Sequence, residues 1–107
     1  MVEPARLAVM LSGSGRTLAN LAKVIASEGL DARVALVISS KPEDVCAGVT
    51  RGREALSDPR VAAAGVDVER ALVVRPGVIP AAELKALLDA HRIDVVVLAG
   101  YLKMIEV

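Results

Sequence analysis

Leu7-Ala8-Val9-Met10-Leu11-Ser12-Gly13-Ser14-Gly15-Arg16-Thr17 is an apolar run that breaks into a glycine- and hydroxyl-rich turn. A helical pattern follows from Leu18. Strand, glycine turn and helix in that order aim unpaired backbone N–H groups at an anion. Gly13 and Gly15 let the main chain turn sharply and approach a ligand closely. The hydroxyls of Ser12, Ser14 and Thr17 are suited to phosphate oxygens, and Arg16 can add a charge-assisted hydrogen bond. The turn is not a Walker A loop, because no Gly-Lys-Ser/Thr follows at the required spacing. It is a partial dinucleotide fingerprint, with Leu18 where the third glycine would stand. Read on these residues alone, it is either a phosphate-binding turn or a plain strand-to-helix turn with an N-terminal cap.

Outward from this stretch, apolar residues at Leu18, Leu21, Ala22, Val24 and Ile25 recur at helical spacing, and Gly29 is placed to stop the helix in a left-handed cap. Val34–Ser39 reads as a second strand. Asp44 is placed to cap a second helix over about residues 45–56. Pro59 breaks it. Val61–Ala64 reads as a short helical stretch ended by Gly65, and Ala71–Val74 as a weak third strand. Pro80 opens a clearer helix with Ala82, Leu84, Leu87 and Leu88 on its core face and Glu83, Lys85 and Asp89 toward water. Ile93–Ala99 (IDVVVLA) is the strongest strand, an unbroken apolar run of the central parallel type. The expected fold is α/β, a Rossmann-like, mostly parallel sheet of about four strands with flanking helices in one domain over 1–107. Strand order should reverse between the first and last strands, so the Ser12–Thr17 turn and Gly100–Ile105 are expected on the same rim.

Composition narrows the function. Hydrophobic residues make up 54% of the 107 residues and charged residues 24%, which is a globular balance. Tyr101 is the one aromatic residue, which argues against single-stranded nucleic-acid binding on stacked rings. Thirteen basic and 13 acidic residues cancel, so no global field invites nucleic acid or an anionic membrane. One cysteine excludes an internal disulfide or a cysteine cluster for zinc, and no metal site is expected. No leader-like segment or membrane-length apolar run is present, and the expected location is the cytoplasm.

The segments LAVMLSGSGRTLANL at Leu7–Leu21, VISSK at Val37–Lys41, AGV at Ala64–Val66 and IDVVVLAGYLKMI at Ile93–Ile105 carry a resemblance. In order and spacing, apart from extra residues around Thr50–Pro59, the chain resembles the amino-terminal half of the phosphoribosylglycinamide formyltransferase family. The resemblance implies transfer of a formyl group from 10-formyltetrahydrofolate to the amine of glycinamide ribonucleotide, in purine biosynthesis. It implies a ribonucleotide phosphate held by Gly13, Ser14, Gly15, Arg16 and Thr17, and a folate pocket lined by Leu102, Lys103, Met104 and Ile105. Members often carry Ser and Asn where this chain has Arg16 and Thr17, a change that leaves the backbone donors in place. The family's chemistry uses an Asn-Ile-His-Pro-Ser segment and a later Asp, to which no positions of this sequence correspond. The expectation is therefore that these 107 residues bind and do not turn over.

The remaining reactive residues have plainer readings. His91 belongs at a helix end on the rim opposite the glycine turn, as a solvated side chain. Cys46 reads as a half-buried structural thiol, and Asp94 as a residue that caps or precedes the last strand. Lys103 suits the carboxylates of a folate tail and a surface position equally. Two further readings stand beside the enzyme: a phosphate or ribonucleotide-binding module without chemistry, and a relative of formyltetrahydrofolate hydrolase. A third concerns partners. An uncovered apolar edge at Ile93–Ala99 would recruit a second copy or a complementing chain.

Overall fold

The structure, a computed structural model, describes residues 4–11, 15–41, 47–75 and 79–99. Within them lie β1 (Ala5–Leu11), α1 (Arg16–Glu28), β2 (Ala32–Ser39), α2 (Ala47–Ser57), α3 (Val68–Ala71), β3 (Leu72–Val74), α4 (Ala81–Ala90) and β4 (Val95–Ala99). The strands form one sheet in the order β3-β2-β1-β4, parallel at every pairing. This is the expected α/β class and the expected reversal of order between β1 and β4. Ser12, Gly13, Ser14, Asp44, Cys46 and Leu102–Ile105 lie outside the described residues.

Alternation along β1 divides the core. Leu7, Val9 and Leu11 face α1 and α2 and pack with Leu18, Ile25, Ala55 and Leu56. Ala8 and Met10 face the other way, with Leu36, Ile38, Ile79 and Leu84. Val9, Met10, Leu11, Leu36 and Ile38 are fully buried, each worth about 1.5–3 kcal/mol for its larger side chains. β2 changes parity partway. Leu7 pairs with Val34 but Ala8 pairs with Leu36, so Ala35 is an extra residue and the strand bulges there.

That bulge corrects one expectation. Val61–Ala64 is not helical. Val34 N–H donates to the Val61 carbonyl and Ala63 N–H to the Val34 carbonyl, both at 2.8 Å, and Ala62 forms an isolated parallel bridge with Val34. Pairing with the sheet outweighs the local Ala/Val preference. The third strand starts at Leu72, because Ala71 ends the short helix α3, whose cap is Asp67 accepting from Glu69 N–H at 3.1 Å. On α4, Leu84 is buried but Ala82 is exposed. Glu83 is only half in water because it receives two hydrogen bonds from Arg75, at 2.7 and 3.1 Å, tying the end of β3 to the first turn of α4. Val24 of α1 likewise lies off the core face, 38% exposed. The last strand, an apolar run of the central type, is the edge of the described sheet, as the reading of an uncovered edge at Ile93–Ala99 expects, and Val95, Val96 and Leu98 are 49%, 38% and 56% exposed.

Candidate functional site

Three strand ends converge on one rim. Leu11 is in register with Ser39 on one side and with Ala99 on the other. The chain therefore leaves β1 between the carboxyl ends of β2 and β4, at the point where strand order reverses, which is where open α/β sheets bind ligands. Five residues later, at Arg16, it is in α1.

Gly15 makes that entry possible. It is the N-cap of α1, buried, with φ +77° and ψ +22°, a conformation that costs a side-chain-bearing residue about 1–2 kcal/mol. Space forbids a side chain there as well. A Cβ on Gly15 would stand 2.9 Å from the Gly48 Cα and 3.5 Å from Cβ and Cδ of Arg51, both on α2. Gly15's carbonyl starts the helix by accepting from Ala19 N–H at 2.9 Å.

The amides ahead of that bond are open. Among the described residues, the N–H groups of Gly15, Arg16 and Thr17 reach no protein acceptor. No side chain caps α1 and its first turn holds no acidic residue. Of the other helices, α3 has Asp67 and Glu69 and α4 has Glu83 in its first turn, while the first turn of α2, like that of α1, holds no acidic residue. The positive end of the α1 dipole is thus uncompensated and carries a further positive charge at Arg16, which is exposed and joins no ion pair. Open N–H groups at a helix amino terminus, with a guanidinium on the first helical residue, are a donor set that suits an anion.

Two residues of this rim escape the sequence reading. Ser40 follows β2, is 4% exposed, and donates its N–H to the Leu11 carbonyl at 3.0 Å, while its Oγ has no hydrogen-bond partner. A buried hydroxyl without a partner is uncommon in native proteins. Arg51 stands half-buried against Gly15, brought there by the packing of α2 on α1. The VISSK segment is a local signal for Ser40. Nothing local signals Arg51.

The single histidine is far from this rim. His91 caps the end of α4, and its carbonyl accepts from Arg6 Nε at 2.9 Å at the start of β1. Arg6 and Leu11 are five strand steps apart, about 17 Å. Burial and then the nearby charge of Arg6 hold the imidazole below its ordinary pKa. Among the described residues no group of three His, Cys, Asp or Glu is placed to hold a metal, and no helix is long and apolar enough to cross a membrane.

Comparison with known proteins accords with this geometry. The crystal structure of glycinamide ribonucleotide transformylase 1 from Symbiobacterium toebii superposes with a TM-score of 0.71 at 28% sequence identity, over 100% of this chain and 46% of that one. The chain thus spans about half the length of that relative. Among curated proteins, none matches. The formyl transferase family matches residues 5–107, nearly the whole sequence, and the chain belongs to that family.

Proposed function

We propose that these residues form the ribonucleotide-binding part of a formyltransferase that passes a formyl group from 10-formyltetrahydrofolate to the amine of glycinamide ribonucleotide, in cytoplasmic purine biosynthesis. The observation that carries the reading is the open, uncompensated amino terminus of α1 at the outlet of β1. Gly13, Ser14, Gly15, Arg16 and Thr17 hold the phosphate: the backbone amides receive its oxygens and Arg16 adds charge. Adjacent β4 leads toward Leu102, Lys103, Met104 and Ile105, which line the folate pocket in this reading.

Formyl transfer needs a group that takes the amine's proton and donors that hold the oxyanion. His91, at the other end of β1, serves neither need. The chain's task is therefore to bind and orient, and the 107 residues alone do not turn over. The exposed apolar edge at β4 belongs to the same reading, because a parallel edge strand with three exposed large side chains is stable in solution once a further strand or a second copy covers it.

Calorimetric titration with glycinamide ribonucleotide, with and without a folate analogue, tests the assignment. Saturable binding that weakens about tenfold or more in Arg16→Ala is expected. Absence of binding, or formyl transfer by the purified chain alone, refutes the respective half of the reading. Folate binding without ribonucleotide affinity would favour a formyltetrahydrofolate hydrolase relative instead.

A further inference from the structure

At the amino-terminal pole of the sheet, opposite the glycine turn, lies a cavity of about 630 Å³. That volume is within the range of small-molecule sites. Three arginines from three separate elements line it: Arg6 from β1, Arg33 from β2 and Arg92 from the turn before β4. Asp94 is the only carboxylate among the described lining residues.

These arginines differ from the others whose partners are known. Arg60, Arg70 and Arg75 each face a carboxylate. Among the described residues, Arg6, Arg33 and Arg92 join no ion pair. Arg6 spends Nε on the His91 carbonyl, and Arg33 spends one terminal nitrogen on the carbonyls of Leu30 and Ala32. The rest of each guanidinium is uncommitted, and Arg92 makes no side-chain hydrogen bond at all. Asp94 is already engaged, accepting from Arg6 N–H at 2.9 Å. At the end of α4, the carbonyls of Leu88 and Asp89 accept from the N–H groups of Ile93 and Arg92, and the His91 carbonyl accepts from Arg6 Nε, which offsets part of the negative potential there.

Two further donors line the same cavity. The N–H groups of Ala64 and Gly65 reach no protein acceptor, in a turn that Val66 N–H closes on the Ala63 carbonyl at 3.3 Å. Arg92 also holds φ +52°, the one non-glycine residue with positive φ among those described, at a helix end where glycine is the unstrained choice. Strain retained on a charged side chain that lines a cavity is a mark of use.

We infer that this cavity is a second anion site, separate from the glycine turn, which takes an oligophosphate. Guanidiniums supplied by three elements suit an anion with charges spaced along a chain, and planar guanidinium forks pair bidentately with phosphate oxygens. No aromatic side chain is among the described lining residues to stack a base, so the recognised chemistry is the phosphate chain, whether free or as the tail of a nucleotide.

The test is calorimetric titration of the chain with inorganic tripolyphosphate and with adenosine triphosphate, followed in parallel by the ring resonances of His91, the only histidine. Expected are equal affinities for the two probes within about threefold, weakening with added salt, a shift of the His91 ring signals, and about tenfold or greater losses in Arg33→Gln and in Arg92→Gly. Arg92→Gly keeps the assay falsifiable, because it removes the guanidinium while relieving the backbone. Three outcomes overturn the inference: no binding at millimolar probe, binding abolished by Arg16→Ala but untouched by Arg33→Gln and Arg92→Gly, or adenosine triphosphate preferred more than tenfold.

Discussion

Replacing Gly15 with alanine separates two costs that the structure superimposes at one residue. The first is conformational. At φ +77° an alanine is strained by about 1–2 kcal/mol. The second is steric. The new Cβ would stand 2.9 Å from the backbone of Gly48, which cannot rotate away as a flexible side chain would, so α1 and α2 must move apart. Overpacking of this kind costs about 1–3 kcal/mol. The total, about 2–5 kcal/mol, is a large share of a small domain's stability. Gly29 supplies the control. It closes the same helix at φ +65°, but a Cβ there meets nothing within 4 Å, so Gly29→Ala carries only the conformational cost, about 1–2 kcal/mol. Urea unfolding of both variants reads the difference, and titration with glycinamide ribonucleotide reads the site. Gly15→Ala should unfold at distinctly lower denaturant than Gly29→Ala and lose at least tenfold in affinity, while Gly29→Ala binds as the parent does. Equal destabilisation by the two variants would refute the close approach of α2. Undiminished ribonucleotide affinity in Gly15→Ala would refute the placement of the phosphate.

Other consequences are open to the same methods. Arg92 occupies the position after the α4 cap with the paired bonds Ile93 N–H to Leu88 and Arg92 N–H to Asp89, a motif that favours glycine, so Arg92→Gly should raise unfolding stability by about 1 kcal/mol. Ser40→Ala removes a buried hydroxyl without a partner and should be stabilising by about 1 kcal/mol in urea; a loss of stability would mean that Oγ is satisfied. Asp94→Ala deletes the acceptor of Arg6 N–H in an exposed setting and should cost about 0.5–1.5 kcal/mol, whereas Asp94→Asn, which keeps an acceptor, should cost less. His91 has a folded pKa below its ordinary value, so the unfolded chain binds its proton more readily. Its contribution to stability is then complete above about pH 6.5 and falls as pH drops through the ordinary value toward the folded one. Denaturation midpoints between pH 5 and 7.5 should show this slope in the parent and a reduced one in His91→Gln.

How legible the molecule was depended on the reach of the interaction. β1, the glycine turn and α1 follow from neighbours in sequence: an apolar run, glycine at the cap, and Leu18 and Ile25 at helical spacing. The cap of α3 was equally local, since Asp67 precedes Glu69 as a capping residue should, yet four residues are too few for periodicity to reveal. Val61–Ala64 misleads because its composition suits a helix, while its hydrogen bonds go to Val34, 27 residues earlier for Val61, at a bulge that only the paired sheet reveals. The run at Val95–Leu98 reads as a strand from its unbroken apolar residues alone. Arg51 against Gly15, and Arg6, Arg33 and Arg92 around one cavity, are products of packing and register, for which single-sequence patterns carry no mark.

One strand joins both poles, and its register links them. Asp94 N–H donates to the Arg6 carbonyl at 2.8 Å while its carboxylate receives Arg6 N–H, so the residue before β4 is clamped to the start of β1 by two hydrogen bonds. From that clamp the pairing runs Leu7 with Val95 through Leu11 with Ala99. A slip by one residue would turn Leu7, Val9 and Leu11 away from α1 and α2, which the buried face opposes strongly. The same register brings the outlet of β4 beside the amides of Gly15, Arg16 and Thr17. Backbone donors thus gather at the carboxyl ends of the strands because α1 begins there, while Arg6, Arg33 and Arg92 gather at the amino ends, where the carbonyls of Leu88, Asp89 and His91 already accept hydrogen bonds. The two proposed anion sites differ in the kind of donor they use, and mutation can address them separately: exchange of Arg33 or Arg92 would empty the amino-terminal one, while the carboxyl-terminal one would be weakened by Arg16→Ala and lost with changes that move the backbone at Gly15.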